Sequence, residues 1–173
     1  VKRILWKKEV FAMKHAPYAQ TMLLPLGKPR ARAEVAGGSA YPKLSGRVSF
    51  YAAGKGTLLT AEFRGLPYDA APCASNVLGF HIHAGGACTG ASGSPFSDAL
   101  GHYNPGDCPH PAHAGDLPPL FSNRGFAFQA FYTERFTPEE AVGKTVIVHD
   151  KRDDFTSQPA GDSGNRIGCG VIE

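Results

Sequence analysis

The histidines of this chain are grouped rather than scattered. His81 and His83 lie two residues apart on a predicted strand, so both rings project from the same face and can converge on one ion. His110 and His113 lie three residues apart, with Asp116 three residues further on, in a loop rich in proline and glycine. A loop of that composition can fold around a small cation.

Two more histidines accompany these groups: His102 precedes the loop, and His149 ends a later predicted strand. Imidazole is a preferred ligand of copper and zinc, and a carboxylate completes a zinc set. A single histidine is usually a surface or hydrogen-bonded residue, and His15, in the N-terminal tail, keeps that interpretation. Six histidines confined to three short segments are harder to explain in this way. The pattern therefore predicts metal binding.

The elements that must position these residues are predicted to be short β-strands. Ala31, Ala33 and Val35 alternate with charged residues, and Gly54-Lys55-Gly56 predicts a hairpin turn because glycine adopts a positive φ without steric cost. Further strands are predicted at residues 48–50, 58–63, 79–83, 126–130, 145–149 and 166–172.

One short helix is predicted to begin after Thr137, which would be its N-cap. Pro138 would occupy the first helical position and Glu140 the third, which is the pattern of a capping box. The 21 glycines and 14 prolines leave little room for longer helices. Together these features predict an antiparallel β-sandwich or β-barrel.

Composition limits the size and the partners of the protein. A chain of 173 residues, 42% of them apolar, can bury one proper core but not two. The net charge of +3 is compatible with attracting small anions but is too weak and dispersed to indicate a nucleic-acid partner. No stretch approaches the roughly 20 apolar residues that a membrane span requires.

Residues 1–29 differ from the rest in pattern. Leu5, Trp6, Val10 and Met13 lie near helical spacing, so this segment is interpreted as an appendage that could form a short amphipathic helix. Residues 30–173 are predicted to form the domain. No apolar signal-peptide core is visible, which favours the cytoplasm, and export stays the alternative if the sequence lacks its true N-terminus.

Five segments resemble the copper–zinc superoxide dismutase family and occur in that family's order. The resemblance extends over residues 30–173 and points to a bacterial-type member with altered loops. The segments are Gly79–His83, Gly101–Pro105, His113–Leu117, Val148–Asp154 and Gly164–Ile172.

This resemblance implies an all-β fold, an eight-stranded antiparallel Greek-key barrel or immunoglobulin-like sandwich with two long metal-binding loops. It also implies a ligand set for each metal. Copper would be bound by His81, His83, His102 and His149. Zinc would be bound by His102, His110, His113 and Asp116, so that His102 would bridge both ions as an imidazolate, which two flanking cations make favourable near neutral pH.

The resemblance also assigns roles to residues around the metals. Asp153 would accept hydrogen bonds from one copper ligand and one zinc ligand, fixing their orientation. Arg166 would guide the anion to copper, since a guanidinium is charged at any working pH and offers a fork of donors. On sequence alone each could instead be an exposed charge, and that reading fits the neighbouring Asp154 better than Asp153.

The four cysteines are only partly explained by the resemblance. Cys88 and Cys169 correspond to the disulfide that tethers the first long loop to the last strand. Cys73 and Cys108 are extra. They could pair with each other, or Cys108 could be a free thiol that competes for zinc, because spacing does not determine pairing.

The loops depart from the family pattern in three places. The Ala84–Ala87 segment has no acidic residue, residues 91–99 look inserted, and residues 155–163 lack the charged cluster that helps to steer substrate. These changes leave the ligands in place. They put the rate, the steering of the anion and the usual dimer contact in question.

The resemblance implies an enzyme that dismutes superoxide, with copper and zinc as cofactors, superoxide as substrate and a homodimer as a further expectation. The alternative is a non-catalytic metal-binding domain of the same fold, either a copper-delivery module or a zinc-only relative. A delivery module would call for an added Cys-x-Cys or Cys-x-x-Cys element, which this sequence lacks. An interaction module docking through residues 1–29 is a third reading, supported only by the mild amphipathicity of that segment.

Overall fold

The computed structural model of the protein describes residues 27–173, and the predicted N-terminal helix lies outside this part of the chain. The described residues form nine β-strands, one short α-helix and a 3₁₀ turn at Ser97–Ala99. In chain order the elements are β1 (Ala31–Gly37), β2 (Ser45–Ala53), β3 (Gly56–Arg64), β4 (Val77–Leu78), β5 (Phe80–His83), β6 (Leu120–Phe121), β7 (Ala127–Thr133), α1 (Pro138–Ala141), β8 (Thr145–His149) and β9 (Arg166–Val171).

The seven longer strands form one antiparallel sheet in the order β5-β8-β9-β1-β2-β3-β7. The two-residue strands β4 and β6 pair separately, which brings the count to nine rather than the predicted eight. The sheet curls around a core to which every long strand contributes, with Phe50, Phe63 and Phe80 completely buried. The predicted all-β fold is confirmed.

Local sequence signals account for several of these elements. Ala31, Ala33 and Val35 are buried while the residues between them are exposed, as the alternation predicts for β1. Gly54 has φ +56° in the turn that joins β2 to β3. Helix α1 begins with the predicted capping box: Thr137 accepts from the Glu140 N–H, and the Glu140 carboxylate accepts from the Thr137 N–H at 2.7 Å.

Two long loops carry the chain between the strands nearest the histidines. The first joins β5 to β6 and the second joins β8 to β9. A disulfide between Cys88 and Cys169, with Cα atoms 5.6 Å apart, ties the first loop to β9, as the resemblance implied. Cys73 and Cys108 are both free and exposed, so the alternative in which they pair with each other is wrong.

Within residues 27–173, no helix combines the length and the apolar character that crossing a bilayer requires.

Candidate metal centre

The sheet places three of the predicted copper ligands at the ends of two paired strands. β5 pairs antiparallel with β8, so His81 lies opposite Ile147 and His83 opposite Thr145. A bulge at the end of β8 turns His149 toward the same region. All three histidines are buried.

The first long loop folds back along the other side of β5. Isolated bridges pair His83 with His102 and His81 with Asp116. These bridges carry His102 to the centre of the histidine cluster, and they bring Asp116 beside it. Residues distant in sequence are thereby fixed by backbone hydrogen bonds rather than by their side chains alone.

The result is two adjoining groups of potential ligands that share one residue. Within each group, one nitrogen or carboxylate oxygen from every member lies within 4.8 Å of the others. The first group is His81, His83, His102 and His149, and the second is His102, His110, His113 and Asp116. The structure thus brings together all seven residues that the sequence suggested, with His102 common to both groups.

The nitrogens that face into these groups suit a cation. His81 Nδ1 and His102 Nε2 are buried and have no hydrogen-bond partner, and His110 Nδ1 is buried with an Asp116 oxygen 3.1 Å away but outside hydrogen-bond geometry. Buried polar atoms are almost always paired, so unpaired atoms call for an explanation. His81 belongs to the first group, His102 to both groups and His110 to the second. The donor set fits copper and zinc.

The carboxylate of Asp116 completes the second group. Its oxygens lie 2.7, 3.1 and 3.3 Å from the Nδ1 atoms of His102, His110 and His113. Burial would raise the pKa of Asp116, but the hydrogen bond from His102 and the charges of all three histidines hold it below its ordinary value. Three imidazole nitrogens and one carboxylate therefore converge, as in a tetrahedral zinc site.

In four of the six rings, one nitrogen lies near a carbonyl or carboxylate oxygen outside the two groups that can accept a hydrogen bond from it. His83 Nδ1 donates to the Leu100 carbonyl at 2.7 Å, and His149 Nδ1 lies 3.4 Å from the Gly164 carbonyl. A ring nitrogen that faces a carbonyl must carry the proton, so the other nitrogen presents a lone pair. This is the tautomer that a metal ligand requires.

Asp153 holds one ring from each group. Its Oδ2 lies 2.8 Å from His81 Nε2, and its Oδ1 lies 2.9 Å from His110 Nε2. Burial alone would raise the pKa of Asp153, but hydrogen bonds from His81, from the Phe155 N–H and from His110 hold it at about 2. Gly161, at φ +68°, approaches this carboxylate so closely that a Cβ there would collide with it.

Burial keeps the candidate copper ligands neutral. It lowers the pKa of His81, lowers that of His83 well below the ordinary value, and lowers that of His149 to about 3. Desolvation disfavours the charged imidazolium in each case, and neighbouring histidines add repulsion. Near neutral pH these rings therefore offer lone pairs rather than positive charge.

Arg166 stands at the edge of the first group and is held by two backbone carbonyls. Its Nη1 donates to Phe96 and its Nη2 to Leu100, each at 2.6 Å. Both carbonyls come from residues with positive φ, Phe96 at φ 59° and Leu100 at φ 62°, on either side of the 3₁₀ turn. The Leu100 carbonyl thus joins Arg166 to His83. A half-buried guanidinium is fixed beside the histidines.

Sequence reasoning missed four residues that shape this region. Phe96 and Leu100 act through carbonyls, and neither side chain identifies such a role. Arg135 and Gln158 bind the backbone of the loop that carries the second group, and nothing in their local sequence indicates it. Cys108 lies outside both groups within residues 27–173, its Sγ approaching only the Gly106 carbonyl, so nothing places it in competition for the second group.

Comparison with known proteins identifies the family. The copper/zinc superoxide dismutase (SODC) profile matches residues 44–172. The chain is 33% identical to a copper–zinc superoxide dismutase of Deinococcus radiodurans over 166 residues, covering 86% of each protein. It is 31% identical to copper–zinc superoxide dismutase 2 of Aquifex aeolicus over 142 residues, covering 73% of this chain and 78% of that one.

A solved structure agrees with these relatives. The Cu/Zn superoxide dismutase from Brucella abortus superposes with a TM-score of 0.68 at 25% identity, covering 83% of this chain and 99% of the other. The profile, the relatives and the solved structure all indicate a family that binds copper and zinc, which agrees with the two groups of potential ligands that share His102. This chain belongs to the copper/zinc superoxide dismutase family.

Proposed function

We propose that the chain dismutes superoxide at a copper ion held by His81, His83, His102 and His149, beside a zinc ion held by His102, His110, His113 and Asp116. The observation that carries this proposal is the sharing of His102 by two adjoining groups of four ligands. A single ion would need only one such group.

The overall reaction converts two superoxide anions and two protons to one oxygen and one hydrogen peroxide. When bound, copper supplies a one-electron redox couple, and redox-silent zinc supplies a fixed positive charge. The chain's own residues must then attract the anion, hold the ligand rings in place and deliver protons.

Arg166 attracts and orients the anion. Its guanidinium is charged at working pH, and the Phe96 and Leu100 carbonyls fix its position without neutralising it. No carboxylate forms an ion pair with it among residues 27–173, so its charge is available to a small anion. Arg166 therefore combines attraction with a defined binding geometry.

His102 is the residue best placed to carry a proton. Its Nδ1 lies 2.7 Å from Asp116 on the zinc side, and its Nε2 is buried, unpaired and directed to the copper side. A proton held at Nε2 would lie among the candidate copper ligands His81, His83 and His149. The bridging role of this ring is part of the proposal.

Asp153 orients the rings of both groups. One carboxylate accepts from His81 and His110, so one candidate ligand of each metal is held by a single residue. A ring that is already fixed needs no reorganisation when a metal binds or when the charge of that metal changes. Asp153 is thus a positioning residue rather than a ligand.

The experiment is a superoxide-decay assay on protein reconstituted with copper and zinc. We expect fast decay for the parent and a large loss for His102→Ala. His15→Ala is the matched control, because the sequence leaves that histidine out of the metal centre, and it should retain the parent rate. Equal rates for the parent and His102→Ala, both near the uncatalysed background, would remove the proposal.

Metal analysis distinguishes the non-catalytic alternative. One copper and one zinc per chain after exposure to both ions are expected. Two zincs and no copper would favour a zinc-only protein. A homodimer, the absence of a nucleic-acid partner and a cytoplasmic location stay predictions, the first of which light scattering would test against the mass of 18.3 kDa for one chain.

A further inference from the structure

The loop that carries the second group of ligands, residues 101–119, contains neither a helix nor a strand. We call it the zinc loop. Its backbone meets β5 through only a few hydrogen bonds, among them Ile82 N–H to Gly115 and Tyr103 N–H to Ile82. A loop with so little regular structure must be held by other contacts if its ligands are to stay in position.

Arg135 supplies one set of these contacts. Its Nη1 lies 3.1 Å from the Pro111 carbonyl, 3.1 Å from the His113 carbonyl and 3.3 Å from the Asp116 carbonyl. Two of the three carbonyls belong to candidate zinc ligands. One cationic nitrogen thus contacts three carbonyls of the zinc loop, and hydrogen bonds from a charged donor are the stronger kind.

Arg135 is itself anchored to the core of the domain. The next residue, Phe136, is buried and packs edge-on against Phe50, and its carbonyl accepts from the buried Thr57 hydroxyl at 2.9 Å. Arg135 forms no ion pair with any carboxylate in the described part of the chain. Its charge is therefore directed to the carbonyls of the zinc loop.

Gln158 holds the same loop from the second long loop. Its side-chain amide donates to the His110 carbonyl at 2.7 Å and accepts from the His110 N–H at 2.9 Å. This paired arrangement copies the hydrogen bonding of a neighbouring strand. It fixes the backbone of a candidate zinc ligand whose ring is fixed separately by Asp153.

We propose that Arg135 and Gln158 are positioning residues that clamp the zinc loop and set the rate at which zinc is lost. The inference rests on the proposed zinc site. The hydrogen bonds of both residues to the zinc loop go to backbone atoms, so each acts through the backbone on which the rings are mounted. Without the clamps the loop would sample conformations in which one ligand leaves, and zinc would escape more often.

The direction in which zinc binding changes on removal of Arg135 distinguishes a clamp from a purely electrostatic role. Arg135 is a cation close to a site for a divalent cation, so its removal should by charge alone strengthen zinc binding. If Arg135 clamps the loop, its removal should instead weaken zinc binding. Arg135→Met therefore gives different answers under the two accounts, and Arg135→Lys, which keeps the charge and a set of donors, should restore part of the parent behaviour.

The experiment measures metal transfer from the fully loaded protein to a chromophoric chelator, with zinc and copper followed separately. We expect Arg135→Met and Gln158→Glu each to accelerate zinc loss about tenfold, with copper loss unchanged. Gln158→Glu keeps the shape but removes the donor to the His110 carbonyl. Arg47→Met, which removes an exposed arginine paired with Glu34, is the matched control and should match the parent.

The following results of this experiment would contradict the clamp. Zinc loss at the parent rate in both variants, or slower loss in Arg135→Met, would overturn the clamp while leaving the metal centre intact. Copper and zinc loss accelerated equally would show general damage to the fold and would also overturn it. A parent protein that retains no zinc would overturn the proposed metal centre and the clamp with it.

Discussion

The Nε2 atoms of His83 and His149 lie 3.4 Å apart in the buried interior, although 66 residues separate the two histidines in the chain. The Nδ1 atom of each ring faces a backbone carbonyl and carries the proton. Two lone pairs therefore face each other, an arrangement that a shared cation would stabilise. The ends of β5 and β8 thus present two ring nitrogens to a single position.

The bridging carboxylate of Asp153 gives the first prediction. Asp153→Asn leaves one oxygen and one amide donor, so it can no longer accept from both His81 and His110. We expect the affinity for both metals to fall about 10- to 100-fold, as chelator competition would measure. Asp107→Asn, an exposed acid in the zinc loop, should leave both affinities unchanged. Unaltered affinities in Asp153→Asn would contradict the positioning role.

Arg166 gives a prediction about catalytic efficiency. Arg166→Met removes the charge beside the candidate copper ligands and should lower kcat/KM for superoxide on the order of tenfold. Arg166→Lys should lie between the two, because the ammonium keeps the charge but not the fork that binds the Phe96 and Leu100 carbonyls.

Stopped-flow measurement at several ionic strengths would check this prediction, because attraction of an anion by a charge weakens as salt is added. Arg152→Met, an exposed arginine in the second long loop, is the control. Loss of activity in Arg152→Met equal to that in Arg166→Met would contradict a specific role for Arg166.

The disulfide gives a prediction about stability. Cys88 and Cys169 are separated by 81 residues, so their bond restricts a large loop of the unfolded chain. Cys88→Ser should lower the free energy of unfolding by about 2–5 kcal/mol in urea titrations. Cys73→Ser and Cys108→Ser remove exposed free thiols and should have little effect. Equal stability of Cys88→Ser and the parent would contradict the account.

Acid should destabilise the metal-free protein. The folded-state pKa of His149 is lowered to about 3, whereas the unfolded chain takes up this proton near the ordinary value of 6.5. Between these values the unfolded state binds more protons, so stability is greatest above pH 6.5 and falls as the pH drops toward 3. The slope for this one proton is at most about 1.4 kcal/mol per pH unit.

Urea unfolding of the metal-free protein at a series of pH values measures that slope. His149→Gln removes the titrating group and should give a shallower dependence on pH. A free energy of unfolding that stays constant from pH 6.5 to about 4 would be the contrary result.

The sequence was enough to predict the seven longer strands and the grouping of the histidines, but not the two-residue strands β4 and β6. Alternation fixes which face of β1 is buried, and spacing fixes that His81 and His83 share a face of β5. The capping box of α1 and the glycine turn after β2 are local signals with local causes. The order of the motifs indicated the family, and the resemblance to that family implied the candidate ligands.

The contacts around the site were not predictable in the same way. Leu100 has φ 62° and ψ −154°, a region that glycine favours, and nothing in its type indicates that its carbonyl accepts from both His83 and Arg166. Arg135 and Gln158 bind backbone atoms that lie 19 to 48 residues away in sequence. Such contacts depend on how the loops fold, and one sequence carries no pattern for them.

The central claim is that two neighbouring cations share the ring of His102. Anomalous diffraction from crystals of the copper- and zinc-loaded protein, collected at both absorption edges, tests it most directly. We predict a copper peak among His81, His83 and His149, a zinc peak among His110, His113 and Asp116, and the His102 ring between them. A single peak, or a copper peak away from those three histidines, would contradict the account.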